Sequence, residues 1–249
     1  MKATSSILLL LASCLAVSQA PASLFLDDWG ISYGRWNPEV SSDMRVVFAV
    51  DDYVSGANGW LDPGYGGQPF DVEAVYLACD ASRLYLGVVT GFGPDGGMGW
   101  NGWYYQHLCP GDLALDLSGD GVYDYAVDVS AVGAVRHREL VWENPSLAGR
   151  PAWGGAGDPL RVKQWADSFD SESFSYAAFD GRYAIESIIE LADVDWTGDA
   201  KLHWTMGCGN DLAEIEMKVS NPIPEPSTLM LLAAGLLGSG VLARRSRRR

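Results

Sequence analysis

The chemistry in this sequence is concentrated in oxygen donors and aromatic rings. In Asp116-Leu-Ser-Gly-Asp-Gly-Val-Tyr-Asp124, oxygen side chains recur at Asp116, Ser118, Asp120 and Asp124, with Gly121 after the third. Calcium takes about six to eight oxygens, and a loop of the EF type supplies them at alternate positions with glycine at the sixth. Val122 would add its carbonyl oxygen at the seventh. The bidentate acid expected at the twelfth position is missing: Val127 stands there, with Asp128 one residue off. The same stretch also reads as a polar hairpin tip, because Asp-Gly is a favoured turn pair.

A second group is Trp100-Asn-Gly-Trp-Tyr-Tyr105, in a chain with 10 tryptophans. Rings stack on the C–H faces of sugars while neighbouring amides and carboxylates hold hydroxyls. Trp100, Trp103, Tyr104 and Tyr105 are therefore a candidate polysaccharide platform; the other reading is that they cap a core. Asp71 and Glu73 lie two apart, on one face of a strand, and paired carboxylates serve glycoside hydrolysis. The histidines His107, His137 and His203 have no H-x-x-x-H spacing, and G-x-S-x-G, the P-loop and G-x-G-x-x-G are all absent. The expectation is a non-enzymatic protein, with a glycan-active hydrolase the least favoured reading.

These groups must be positioned by strands. Apolar residues alternate with period two over 46–50, 72–79, 84–90, 112–117, 122–129, 174–179, 183–190, 202–206 and 212–219. Residues 80–83 suit a hairpin turn, and Gly and Pro cluster at 56–69, 94–102 and 145–159. Many short strands separated by turn signals predict an all-β fold, a β-sandwich in one domain over 23–221.

Charge is unevenly placed. Residues 23–221 hold 31 acidic and 11 basic residues, a net charge of −20. Such a body repels phosphate backbones and anionic lipid, which excludes nucleic acid as a partner; the acidity reads first as solubility in a salty exterior, and second as a preference for divalent cations. The body contains Cys79, Cys109 and Cys208. In an oxidising exterior two would pair. Cys79–Cys109 is the expected bridge, although Cys208 has the choice of either.

The two ends are not part of this domain. Lys2, the apolar run 7–17 and Ala20-Pro-Ala22 form a signal-peptide pattern over 1–22, with Ser23 as the new start. Leu11-Ala-Ser-Cys14 also resembles a bacterial lipobox, which would make Cys14 a lipidated first residue. At the other end, 229–243 is an uncharged run of fifteen residues, and five of the last six residues are arginine. A membrane helix wants about 20 residues and at least about 17, a length that Ser227 and Thr228 supply. The arginines place the C-terminus in the cytoplasm.

Pro224-Glu225-Pro226-Ser227-Thr228, a Leu-rich span with Gly235 and Gly238, and the final arginines together resemble the PEP-CTERM sorting signal of Gram-negative bacteria. The resemblance implies recognition at Pro224, Glu225 and Pro226 by a membrane exosortase. It further implies a periplasmic body anchored in the inner membrane, then delivery to the cell surface or an exopolysaccharide matrix. More loosely, Asp-x-Glu-Ala, Leu-Tyr-Leu, Gly-Asp-Leu-Ala-Leu-Asp and a late Ile-Glu resemble the jelly-roll sandwiches of family-9 carbohydrate-binding modules and DOMON-type domains. The resulting expectation is a matrix protein binding polysaccharide, with calcium. The alternative is a structural or adhesion component whose copies are bridged by cations.

Overall fold

The computed structural model describes residues 23–51, 67–100 (Trp100 by its main chain), 105–130, 132–145, 160–209 and 211–218. Two antiparallel sheets pack face to face. The first contains β1 (Arg45–Val50), β2 (Val72–Cys79), β3 (Arg83–Thr90), β12 (Ser173–Phe179) and β13 (Arg182–Glu190), in the order β1-β2-β3-β13-β12. The second contains β6 (Leu113–Asp116), β7 (Tyr125–Asp128), β8 (Ala134–His137), β11 (Asp167–Asp170), β14 (Ala200–Trp204) and β15 (Ala213–Met217), in the order β11-β8-β7-β6-β14-β15. Two hairpins flank them: β4 (Gly97–Trp100) with β5 (Tyr105–Leu108), and β9 (Val141–Glu143) with β10 (Arg161–Gln164).

The alternating pattern fixes which side chains meet between the sheets. Val75, Leu77, Leu86 and Ile185 come from the first sheet, and Leu115, Val127, Leu202 and Trp204 from the second, into one core. Each such aliphatic side chain contributes about 1.5–3 kcal/mol when taken out of water. The β2–β3 turn is set by Asp80, whose Oδ1 accepts from the main-chain nitrogens of Ser82 and Arg83, both at 2.8 Å.

The sequence pattern suggested half-buried strands, but β2 is buried along its whole length. The reason is a cover formed by the first residues of the described body. Phe25, Leu26, Trp29, Ile31 and Trp36 lie on the outer face of the first sheet, against Ala74, Tyr76, Ala78, Tyr85 and Val89. Gly87 makes room for them: a Cβ there would already touch Leu26, Phe25 and Tyr76 at 3.4 Å.

Other expectations are corrected. β4 lies inside the Gly-rich stretch 94–102 that reads as loop. Its glycines permit the strand, since a Cβ at Gly99 would stand 2.5 Å from the Leu108 side chain. The strand expected at 122–129 starts only at Tyr125, because the residues before it form the tip. The Cys79–Cys109 bridge does not form: Cys79 is a buried thiol. Cys79 ends β2, whereas Cys109 is tied through Gly207 to the β14–β15 connection, beside the start of β2. An eight-residue strand spans about 23 Å, and a disulfide needs Cα atoms within about 7 Å. Among the described residues no helix is long and apolar enough to cross a membrane. The expected signal peptide, including Cys14, and the C-terminal span fall outside them.

Candidate functional site

The β6–β7 hairpin carries the oxygen-rich tip. Asp116, at the end of β6, is buried and organises the turn. Its Oδ1 accepts from Ser118 Oγ at 3.2 Å and Gly119 N at 2.7 Å, and its Oδ2 from Gly121 N at 2.8 Å. Gly119 and Gly121 have φ of 76° and 85°, a left-handed geometry that glycine adopts without cost. Asp120 Oδ1 accepts from Val122 N at 2.8 Å, and Asp124 Oδ1 from Leu117 N at 3.0 Å. Burial pushes the Asp124 carboxyl up, and the nearby charges of Asp116 and Asp120 add to that shift. A cleft of about 430 Å³ lies beside the tip, lined by Asp116, Asp120, Lys201 and Glu214 among others. Among the described residues no three His, Cys, Asp or Glu side chains stand together as a ready metal site. The tip holds its turn with the oxygens that a cation would use.

Next to the tip is an aromatic cleft of about 400 Å³, lined by Tyr123, Asp124, His137, Arg138, Trp142 and Asp195 together with their neighbours. Tyr123 meets Trp142 edge-on at 6.3 Å and His203 at 5.5 Å. Tyr125 stacks on His137 at 5.4 Å. Lys201 and His203 hold Glu214 ionised, His203 most strongly, with the carboxyl lowered to about 2. The rim turns sharply at Arg138 and Glu139, whose φ values of 59° and 54° are left-handed without glycine. Arg138 pairs with Asp167 at 3.3 Å. The wall is aromatic and the edge is charged, an arrangement that suits a ligand with apolar faces and hydroxyl edges.

The sequence-selected platform is only partly described. Trp103 and Tyr104 lie outside the described residues. Trp100 pairs with Tyr105 across the β4–β5 hairpin, and the Tyr105 side chain is 71% exposed. Asp71 and Glu73 do share a side, but both are fully buried. Gln68 donates to each and Arg182 to Glu73. Sequence reasoning missed Tyr123, His137 and Trp142. They fall in different elements, with no periodic spacing that links them, and the register Tyr125↔His137 and the pairing of β9 with β10 bring them together. A third cleft, of about 480 Å³, opens between the sheets beside Asp112, Arg161, Phe174 and Tyr176.

The described body is an antiparallel β-sandwich with an acid tip and an aromatic cleft. Residues 222–249 match the PEP-CTERM protein-sorting motif. This identifies an exported protein, made as a membrane-anchored precursor and sorted by an exosortase to the cell surface. No curated protein and no solved structure matches the chain.

Proposed function

We propose that the exported body is a non-enzymatic, jelly-roll-like module that binds a polysaccharide of the surface or matrix to which the chain is sorted. The observation that carries this reading is the cleft in which Tyr123, His137 and Trp142 form an aromatic wall beside Asp124, Arg138 and Asp195. Rings of this kind cover the C–H face of a pyranose, and the charged groups are within reach of its hydroxyls. The platform Trp100, Trp103, Tyr104 and Tyr105 would extend the contact. Calcium at Asp116, Ser118, Asp120, Val122 and Asp124 would stiffen the wall, since Tyr123 sits inside that loop. Support for the ion is the crowding of carboxylates at Asp124. Asp120 would ligate it through Oδ2 while Oδ1 keeps its bond from Val122 N. Release of the tail at Pro224, Glu225 and Pro226 would free the module from the membrane.

The test is affinity electrophoresis of the exported protein through gels containing the host's own purified exopolysaccharide. Retardation is expected, and Trp142→Ala should weaken it about tenfold, the loss of one stacking ring. Equal mobility with and without polysaccharide would remove the reading.

A further inference from the structure

Glu186 lies in the middle of β13 with 1% of its surface exposed. Its carboxylate collects the first residues of the described body. Ser23 Oγ donates to Oε1 at 2.8 Å, Leu24 N to Oε2 at 3.0 Å, and Phe25 N and Leu26 N to Oε1 at 3.0 Å. Successive main-chain N–H groups converging on one anion form a nest. Among the described residues, no Lys or Arg pairs with Glu186. A buried carboxylate without a counter-charge is costly even when hydrogen-bonded.

The position of this nest in the chain has a consequence for maturation. Ser23 follows the Ala20-Pro-Ala22 pattern. Its main-chain nitrogen is three bonds from the Oγ that touches Glu186. That nitrogen is therefore held within about 6 Å of the carboxylate, where an opposite charge is felt. In the precursor it is a neutral amide.

We infer that hydrolysis of the Ala22–Ser23 bond supplies the missing counter-charge: the new α-ammonium of Ser23 pairs with buried Glu186, so signal removal completes the fold. Water adds across the amide. Ala22 leaves as a carboxylate, and the Ser23 amine takes up a proton. The inference rests on the export reading and is independent of glycan binding.

The other groups near this face are already occupied. Tyr76 donates to the Trp36 carbonyl and Tyr85 to Asp80. Along β13, Arg182 is bonded to Glu73, and Glu190 receives Arg83. Asp27, in the covering turn, offers its main-chain nitrogen to Ser23 Oγ. Among the described residues no Lys or Arg side chain competes for the site.

An α-amino group has a pKa of about 7.7 in an unfolded chain. Pairing raises it, so the stabilisation is complete below about pH 7.7 and fades as pH climbs through the raised value. The experiment uses the full chain exported by its host, with the N-terminus sequenced. Thermal unfolding is followed from pH 7 to 10 in one detergent, for the processed chain and for an Ala22→Leu precursor that keeps its signal peptide. The processed chain should start at Ser23. It should lose about tenfold in folding equilibrium over that range beyond any loss in the precursor, equivalent to one unit of pKa shift. Glu186→Gln should abolish the difference; if that variant fails to fold, the comparison of precursor with processed chain still decides. Identical profiles overturn the inference. So does an exported chain that starts elsewhere, such as at a lipidated Cys14, and this leaves export intact. A chain that is never exported overturns both.

Discussion

The fold should become more stable as the medium is acidified from pH 7.5 to 5.5. Asp112 is almost wholly buried, and its oxygens accept from Val129 N at 2.9 Å and Val162 N at 2.8 Å. Burial first, and the charge of Asp128 second, raise its carboxyl to about 7. Asp211, bonded by Val72 N and Leu212 N, is likewise raised to about 7, mainly by burial. In the unfolded chain both would titrate near about 3.9. Between the two values the folded state binds the extra proton, so stability falls as pH rises through this window and recovers as pH falls. Each group contributes about 2 kcal/mol between pH 7.5 and 5.5, and the pair about 4 kcal/mol. For a domain of this size that is about 8–16 °C in unfolding midpoint. Glu214, held near 2, stays ionised across the window and does not oppose the trend. Circular dichroism melts at half-unit pH steps measure it. Asp112→Asn should lower the midpoint overall but remove about half of the slope. A flat or rising midpoint from pH 5.5 to 7.5, or an Asp112→Asn variant with the full slope, would refute the assignment of these carboxyls.

Adding 10 mM calcium to chelator-treated protein should raise the midpoint modestly. An exposed extracellular loop binds at about 1 mM, which at this concentration gives about 1.4 kcal/mol. Asp120→Asn should cancel the rise, and an equal response to magnesium would count against the loop. Gly91→Ala should destabilise by about 3 kcal/mol, since its Cβ would fall 1.7 Å from the Gln68 carbonyl oxygen. Urea denaturation reads this, and a loss below about 0.5 kcal/mol would contradict the packing there. The intact mass of protein recovered from the exterior should end near Pro226, and Glu225→Ala should leave the full tail in the membrane fraction.

The sequence alone determined what depends on local periodicity and on order along the chain. β2 was legible because Val75, Leu77 and Cys79 alternate along it into the core between the sheets, and the β2–β3 turn because Asp80 binds the main chain of Ser82 and Arg83. The sorting signal was legible because recognition there is linear: Pro-Glu-Pro, an apolar span and arginines suffice. The tip Asp116–Asp124 was visible for the same reason. Only the tertiary structure decided what covers the first sheet, since nothing local in 23–36 states which face Phe25 and Trp29 will find. It also separated Cys79 from Cys109 along the length of a strand and buried Asp71 and Glu73. Tyr123, His137 and Trp142 came together from three separate strands and turns. Those outcomes depend on strand pairing and sheet packing between residues of different elements, whose energies arise only once the chain has closed on itself.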